Sequence, residues 1–268
     1  MLALGYHEYG ASQFLLYVLH PPYLPSPSPP FRNHLLIRTV VQGGDLGCMT
    51  ARFLCFAYPS AVKAHRVNNA VPTEPTEATH PELCTRIKAT SLSTKELAGL
   101  ARTGNFFKEE NGYLRQQATR LLTLGYSLQD SPVGLLAWIY EKMHSWSDSY
   151  AWTDDEILTW ISIYYFSRAG PAAASYIYWS MEHSDPPVFA AAANWSDVPL
   201  GISRFNEDTL LLPKLWNHTL GPIVFEAEHD HGGHFAAYER PDAIVKDLRS
   251  MFGKGGGAFG VVLGKDGY

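Results

Sequence analysis

The sequence has little charge, few cysteines and no long apolar run, and each of these shortages excludes a class of protein. Charged residues make up 18% of the chain and the net charge is −5, so no nucleic-acid partner is expected. Three scattered cysteines are too few for a disulfide framework, which predicts a reducing, cytoplasmic location. No apolar stretch has the length of a transmembrane helix, so no stable membrane insertion is expected. Aromatic residues, by contrast, make up 13% of the chain, enough to line a large apolar pocket.

Asp45 lies in the stretch around which the rest of the chain is organised. β-Branched residues at 37–41 predict a strand, and residues 48–58 predict a helix that follows it. Asp45 lies between the two among glycines, which permit a sharp strand-to-helix turn that exposes the central side chain. A carboxylate exposed in this way can attack an electrophilic carbon and form an ester with it. A Gly-Gly-Asp loop that merely turns the chain is the alternative interpretation of these residues.

Changes in composition and in hydrophobic pattern divide the chain into five segments. They are an N-terminal segment with a proline-rich insert (1–40), a strand–helix–strand unit (41–70), a helical block (71–195), a unit of two strands and a helix (196–252), and a glycine-rich tail (253–268). Within the helical block, Ser131 and Thr153 are predicted to cap the N-termini of two helices. The two strand-containing units predict an α/β fold into which an all-helical domain is inserted.

Candidate acid and base residues follow the helical block. They are Glu207 and Asp208, in a predicted loop after the strand at 198–202, and His229, His231 and His234, in a predicted loop after the strand at 220–226. The three histidines could instead form a metal cluster, but no further set of residues with ligand spacing accompanies them, so no metal is expected. The chain order of nucleophile, acid and histidine is that of an α/β-hydrolase with a helical lid inserted before the acid.

Longer motifs in the sequence are similar to those of a known family. They lie at 42–47, 111–113 with 117–120, 128–135, 138–142, and 232–237 with Glu239 and Pro241. On these motifs, which together extend over residues 41–252, the chain resembles the microsomal-type epoxide hydrolases and their fungal soluble relatives within the α/β-hydrolase superfamily. The Asp-Ser-Pro-Val-Gly-Leu and Gly-Gly-His-Phe-Ala-Ala runs carry most of this resemblance because they are specific to that family.

The resemblance implies an α/β-hydrolase core at 41–70 and 196–252, a helical lid at 71–195, and hydrolysis of an epoxide to a vicinal diol without a cofactor. The implied site residues are the nucleophile Asp45, the amide of Leu46 as oxyanion donor, the base His234, its orienting carboxylate Asp208, and the lid phenols Tyr113 and Tyr178. A phenol can polarise the epoxide oxygen because it is a neutral donor near pH 7. The expected partner is a small apolar epoxide, in detoxification or secondary metabolism.

Several of these assignments leave alternatives open. Tyr176 competes with its neighbour Tyr178, Glu207 competes with Asp208, and two other histidines compete with His234. An Asp nucleophile also serves haloalkane-type hydrolases, which would use the same residues differently. A third interpretation is a non-catalytic remnant that keeps the apolar cleft and binds an apolar ligand.

The N-terminal part of the sequence departs from the family. The family has a long part before its nucleophile, with several strands and a His-Gly-x-Pro loop that supplies a second oxyanion donor, whereas no such loop occurs here. Residues 4–9 resemble the segment that leads into the nucleophile strand, so residues 10–39 are predicted to be inserted sequence in an N-terminally truncated chain. The missing strands predict a partial sheet with open edges at 37–41 and 198–202, and hence self-association into homo-oligomers or aggregates and weak activity.

Overall fold

A computed structural model describes residues 39–264 and the two-residue strand at 17–18. Most of the predicted insert at 10–39, and the segment at 4–9, lie outside the described residues. The elements in chain order are β1 Tyr17–Val18, β2 Thr39–Gly43, α1 Leu46–Ala57, β3 Val62–Val67, α2 Pro81–Lys88, α3 Thr94–Asn105, a π-helical turn Phe106–Glu110, α4 Gly112–Thr119, α5 Leu121–Asp130, α6 Pro132–Ser145, α7 Asp154–Phe166, α8 Ala173–Glu182, α9 Val188–Ala192, β4 Leu200–Glu207, a 3₁₀ turn Lys214–Thr219, β5 Ile223–Gly233, α10 Ala236–Glu239 and α11 Pro241–Phe252.

The described strands form one sheet in the order β1-β2-β3-β4-β5. β1 is antiparallel to β2, and the other four strands are parallel to one another. β4 pairs with β3 over its first three residues and with β5 along its length. The prediction of an open edge at 198–202 is therefore wrong, because β4 lies inside the sheet with a partner on each side.

Both faces of the parallel sheet are covered, as alternate side chains of its strands require. Val41 points to the face that packs against α1, in a cluster with Leu200 and Ile202. Its neighbour Val40 points to the opposite face, in a cluster with Met251 of α11. This sandwich holds the carboxyl ends of the parallel strands at a fixed edge, and the candidate site lies at that edge.

Helices α2 to α9 all lie between β3 and β4 in the chain, and the two N-caps predicted among them, Ser131 and Thr153, are observed. Ser131 caps α6 by accepting a hydrogen bond from the Gly134 amide, and Thr153 and Glu156 form a capping box at α7. A separate apolar cluster, which includes Leu135 and Ile161, holds α5, α6 and α7 together. Among the helices of the described residues, none is both long enough and apolar enough to cross a membrane.

The two strands that carry the acid and the histidine are longer than predicted. β4 continues through residues 203–207 and β5 continues through residues 227–233, where the sequence predicted loops. The polar side chains there have buried partners that the sequence does not reveal. His229 stacks on Phe205 with ring centroids 4.6 Å apart, and its Nε2 lies 2.7 Å from Oδ2 of Asp247.

Candidate active site

The turn between β2 and α1 holds Asp45 in a strained backbone conformation. Asp45 has φ 49° and ψ −127°, a region that residues other than glycine rarely adopt. The Gly44 carbonyl accepts hydrogen bonds from the amides of Gly47, at 2.7 Å, and Cys48, at 3.3 Å. A Cβ atom on Gly43 would lie 2.1 Å from the Gly47 carbonyl oxygen, so the strand and the helix can approach this closely only because residue 43 is glycine. The turn thus presents the Asp45 side chain at the strand edge.

The surroundings of the Asp45 carboxylate favour its charged form. Burial alone would raise its pKa, but hydrogen bonding to His234, the charge of His234 and a hydrogen bond from the Leu46 amide together lower the pKa below its usual value. The Asp45 side chain is 32% exposed, so it is accessible from the adjoining cavity. A charged, accessible carboxylate is the form in which this group acts as a nucleophile.

His234 lies between two carboxylates. Its Nδ1 is 2.8 Å from Oδ1 of Asp208, and its Nε2 is 3.6 Å from Oδ1 of Asp45. Burial alone would lower the pKa of His234, but hydrogen bonds and charge attraction from Asp208 and Asp45 raise it to about 10. Three of the residues proposed from the sequence therefore lie together in the order carboxylate, imidazole, carboxylate.

The Asp208 carboxylate is buried, and the groups that donate hydrogen bonds to it were not identified from the sequence. It is 2% exposed, and Nδ2 of Asn69 lies 3.1 Å from each of its carboxylate oxygens. The Thr209 amide donates a hydrogen bond of 2.7 Å to Oδ1. Asn69 follows β3, which lies next to β4 in the sheet. The position of an amide side chain at the carboxyl end of a strand is the sequence feature that could have identified Asn69 as a partner of Asp208.

The competing acid and histidines lie elsewhere. Glu207 pairs with Arg102, its Oε2 lying 2.9 Å from Nη1 of the guanidinium. His229 contacts Asp247 as described above, and His231 is 74% exposed with Nδ1 3.4 Å from Asp148. Within residues 17–18 and 39–264, the structure contains no group of three or more side chains that could hold a metal ion.

Both predicted phenols line the cavity beside Asp45. The Tyr113 and Tyr178 rings meet edge to face, with centroids 5.7 Å apart. Burial and then the negative charge of Asp45 raise the pKa of Tyr113 above its usual value, so this phenol is a neutral donor. Tyr176, the alternative to Tyr178, is 53% exposed and does not line this cavity.

The cavity has a volume of about 100 Å³ and walls that are mostly aromatic. Its lining residues are Asp45, Tyr113, Gln117, Trp138, Ile139, Lys142, Met143, Trp146, Trp152, Trp160, Tyr164, Ala174, Tyr178, His234 and Phe235. Such walls favour an apolar, ring-bearing ligand.

Lys142 and Tyr164 are polar lining residues to which the sequence analysis gave no role. Nζ of Lys142 lies 5.3 Å from the ring centroid of Tyr113 and within 5.7 Å of those of Trp138 and Trp146. Tyr164 is a third phenol of the cavity, and burial followed by the charge of Asp45 raises its pKa above the usual value. Lys142 belongs to the motif at 138–142, whereas Tyr164 lies in an aromatic stripe of α7 that resembles ordinary core packing.

Comparisons with known proteins agree with the fold of the chain. No protein-family model matches the chain. A Stigmatella aurantiaca protein provisionally named an epoxide hydrolase is 34% identical over 223 residues, which cover 80% of this chain and 46% of that protein. The solved structure of Aspergillus niger epoxide hydrolase is 32% identical with a TM-score of 0.64, and the match covers 79% of this chain and 51% of that one.

The juvenile hormone epoxide hydrolase of the silkworm Bombyx mori is similar in fold. It is 24% identical with a TM-score of 0.71, and the match covers 81% of this chain and 56% of that one. The chain therefore spans about half the length of the relatives that it matches. Over that half, the predicted α/β-hydrolase fold with its helical insertion is confirmed.

Proposed function

We propose that this chain, which belongs to the epoxide hydrolases of the α/β-hydrolase superfamily, hydrolyses a small apolar epoxide to a vicinal diol through an ester on Asp45. The observation that supports this most directly is that the Asp45 carboxylate, the His234 imidazole and two phenols border one apolar cavity. A nucleophile, a base and neutral hydrogen-bond donors are the groups that two-step epoxide opening needs.

In the first step the Asp45 carboxylate attacks an epoxide carbon and the carbon–oxygen bond of the ring breaks. The epoxide oxygen takes a proton from a phenol, Tyr113 or Tyr178, as its negative charge develops. The product is a hydroxyalkyl ester of Asp45 and a phenolate. The low pKa of Asp45 and the raised pKa of Tyr113 fit these two roles, because one group must be charged and the other neutral.

In the second step His234 takes a proton from water, and the hydroxide attacks the ester carbonyl carbon. We infer that the Leu46 amide stabilises the oxyanion, and its hydrogen bond to the Asp45 carboxylate, which lowers the pKa of that group, supports this role. The diol leaves with the proton from His234, and the proton on the regenerated carboxyl returns to the phenolate.

Ester formation also prepares the base. The charge of Asp45 is one cause of the raised pKa of His234, and the ester has no charge. The pKa of His234 therefore falls once the ester has formed, which frees Nε2 to accept a proton from water. Asp208 holds the proton on Nδ1 and so keeps the reactive lone pair on Nε2.

The test is diol formation from a simple aryl epoxide by the purified 268-residue chain in ¹⁸O-labelled water. We expect a diol that carries unlabelled oxygen in the first turnover, because that oxygen comes from Asp45, and label in later turnovers. The variant Asp45→Asn should form neither diol nor ester. Label in the diol from the first turnover would exclude the ester. Halide release from a 1-haloalkane without diol would favour the haloalkane-type reaction, and binding of the epoxide without turnover would favour the remnant.

A further inference from the structure

We propose that Glu239 is a positioning residue, which fixes His234 relative to the helical lid through hydrogen bonds to the backbone on both sides of that histidine. This inference rests on the proposed function, since it concerns the base of the second step. Glu239 closes α10 and lies outside the cavity lining, so it touches neither substrate nor the reacting atoms.

The Glu239 carboxylate accepts hydrogen bonds from the two amides that flank His234. The Gly233 amide nitrogen lies 3.3 Å from each of its oxygens, and the Phe235 amide also donates to it. The His234 amide itself donates to the Trp146 carbonyl oxygen at 2.8 Å. All three successive amides are thus bonded, and the backbone that carries the imidazole is fixed on both sides.

The same carboxylate reaches across to the segment that follows lid helix α6. The Asp148 amide donates to Oε2 of Glu239 at 2.7 Å. In return, Oδ2 of Asp148 accepts a hydrogen bond of 2.8 Å from the Gly232 amide. A Cβ atom on Gly233 would lie 2.3 Å from the Trp146 carbonyl oxygen, so the two segments are in close contact. Residues 146–148 and 232–234 therefore form one hydrogen-bonded unit, which we call the histidine clamp.

The histidine clamp relates the base to a phenol of the lid. The Trp146 ring meets the His234 ring edge to face with centroids 5.3 Å apart, and it meets the Tyr113 ring at 5.0 Å. Displacing a reacting group by about 1 Å can lower the rate about 100-fold. Glu239 bonds the backbone next to His234 directly, whereas it is linked to the Tyr113 ring only indirectly, through the segment that carries Trp146. Loss of its carboxylate should therefore slow the step in which His234 acts more than ester formation on Asp45.

The experiment compares Glu239→Ala and Glu239→Gln with the unchanged chain, and uses Asp242→Ala as the control. Asp242 is an exposed carboxylate three residues further on, and it pairs with Arg240 at the surface. Rapid quenching with an aryl epoxide, followed by intact mass measurement, gives the rates of ester formation and ester loss separately. Circular dichroism of each variant shows whether it is folded.

We expect Glu239→Ala to form the ester at a rate within about three-fold of the unchanged chain and to hydrolyse it about 10- to 100-fold more slowly. The ester then accumulates, and kcat and KM fall together. Glu239→Gln keeps an acceptor oxygen and should restore much of the hydrolysis rate, while Asp242→Ala should match the unchanged chain.

An equal fall of both rates in folded Glu239→Ala, or no change in either, would overturn the positioning role while the proposed function stands. If the alanine variant does not fold, Glu239→Gln decides the matter, because glutamine has one acceptor oxygen fewer than the carboxylate. Slower ester hydrolysis with unchanged ester formation in the folded glutamine variant supports the positioning role, whereas an equal effect on both steps, or no effect on either, overturns it. If the unchanged chain forms neither diol nor ester, the proposed function fails, and this inference fails with it.

Discussion

Nδ1 of His234 lies 2.8 Å from Oδ1 of Asp208, on the side of the imidazole ring opposite the nitrogen that faces Asp45. An anion in this position holds the proton of the neutral imidazole on Nδ1. Asp208 is buried and accepts hydrogen bonds from Asn69 and Thr209, so its carboxylate is held in one orientation. Rotating it away from His234 would break these buried hydrogen bonds.

Asp208→Asn should lower the rate of diol formation by about 10³- to 10⁴-fold, because an amide can donate to Nδ1 and so stabilise the wrong tautomer. Glu207→Gln is the matched control, since Glu207 is the adjacent carboxylate and pairs with Arg102 in a partly exposed ion pair. We expect its rate within about two-fold of the unchanged chain. Steady-state diol assays on both variants check this, and a larger loss in Glu207→Gln would reverse the assignment.

His234→Gln should form the ester and fail to hydrolyse it. Glutamine cannot take a proton from water, whereas attack by the Asp45 carboxylate does not need the imidazole. After addition of an epoxide, the intact protein should gain the mass of one epoxide and keep it, and peptide mapping should locate the gain at Asp45. A folded His234→Gln variant that shows no adduct would count against this division of labour between the two residues.

Tyr113 and Tyr178, the two phenols proposed as proton donors, can be tested by removing each hydroxyl. Tyr113→Phe and Tyr178→Phe should each slow ester formation about 100-fold or more, because each variant loses a proton donor to the epoxide oxygen. Tyr176→Phe removes an exposed phenol two residues from Tyr178 and should change the rate less than about two-fold. Single-turnover rates of ester formation distinguish the variants. Equal losses in Tyr176→Phe and Tyr178→Phe would mean that helix α8 merely needs both hydroxyls.

The sequence predicts the turn at Asp45 well because the turn is local. Its glycines, the β-branched strand before it and the helix after it lie within about twenty residues, and all of them favour the same backbone path. The choice between neighbouring residues is different. Adjacent residues at a strand end point to opposite sides, so only the position of His234 in space separates Asp208 from Glu207. Two residues along α8 likewise turn the side chain by about 200°, so Tyr176 and Tyr178 face different surroundings.

The features that the sequence did not predict depend on contacts between residues that are distant in the chain. β5 extends into the predicted loop because His229 meets Asp247 of α11, and Asp208 depends on Asn69, which lies more than a hundred residues away. The edge predicted at 198–202 was wrong for the same reason. Nothing in the sequence of β4 indicates that it pairs with β3 on one side and with β5 on the other.

The pKa of His234 predicts how stability changes with pH. Its folded-state pKa of about 10 lies above the ordinary value of 6.5, so the folded state binds this proton more tightly than the unfolded state. The resulting stabilisation is fully present below about pH 6.5 and is lost as the pH rises through about 10. Urea unfolding at pH 6.5 and pH 10 should therefore show a larger fall in unfolding free energy for the unchanged chain than for His234→Gln.

The variant Asp45→Asn isolates one cause of this pKa shift. Removing the Asp45 charge leaves Asp208 as the main group that raises the pKa of His234, so the pKa should fall below that of the unchanged chain. Titration of the imidazole by NMR measures both values. The pKa of His234 should fall in the same way when the ester forms, because the ester also lacks the Asp45 charge. An unchanged His234 pKa in Asp45→Asn would therefore contradict the proposal that ester formation activates the base.

The close approach of β2 and α1 gives the last prediction, Gly43→Ala. The added Cβ would lie 2.1 Å from the Gly47 carbonyl oxygen and 2.9 Å from the Cys48 amide nitrogen, and backbone atoms at the start of a buried helix cannot yield as a flexible side chain can. We expect the unfolding free energy to fall by about 3 kcal/mol or more, with loss of diol formation because Asp45 moves with the turn. Gly104→Ala is the control, since no atom lies within 4 Å of its added Cβ and alanine in helix α3 should add about 0.5–1 kcal/mol. Urea unfolding of both variants measures the difference, and a Gly43→Ala protein that unfolds at the same urea concentration as the unchanged chain would mean that the turn does not need its glycine.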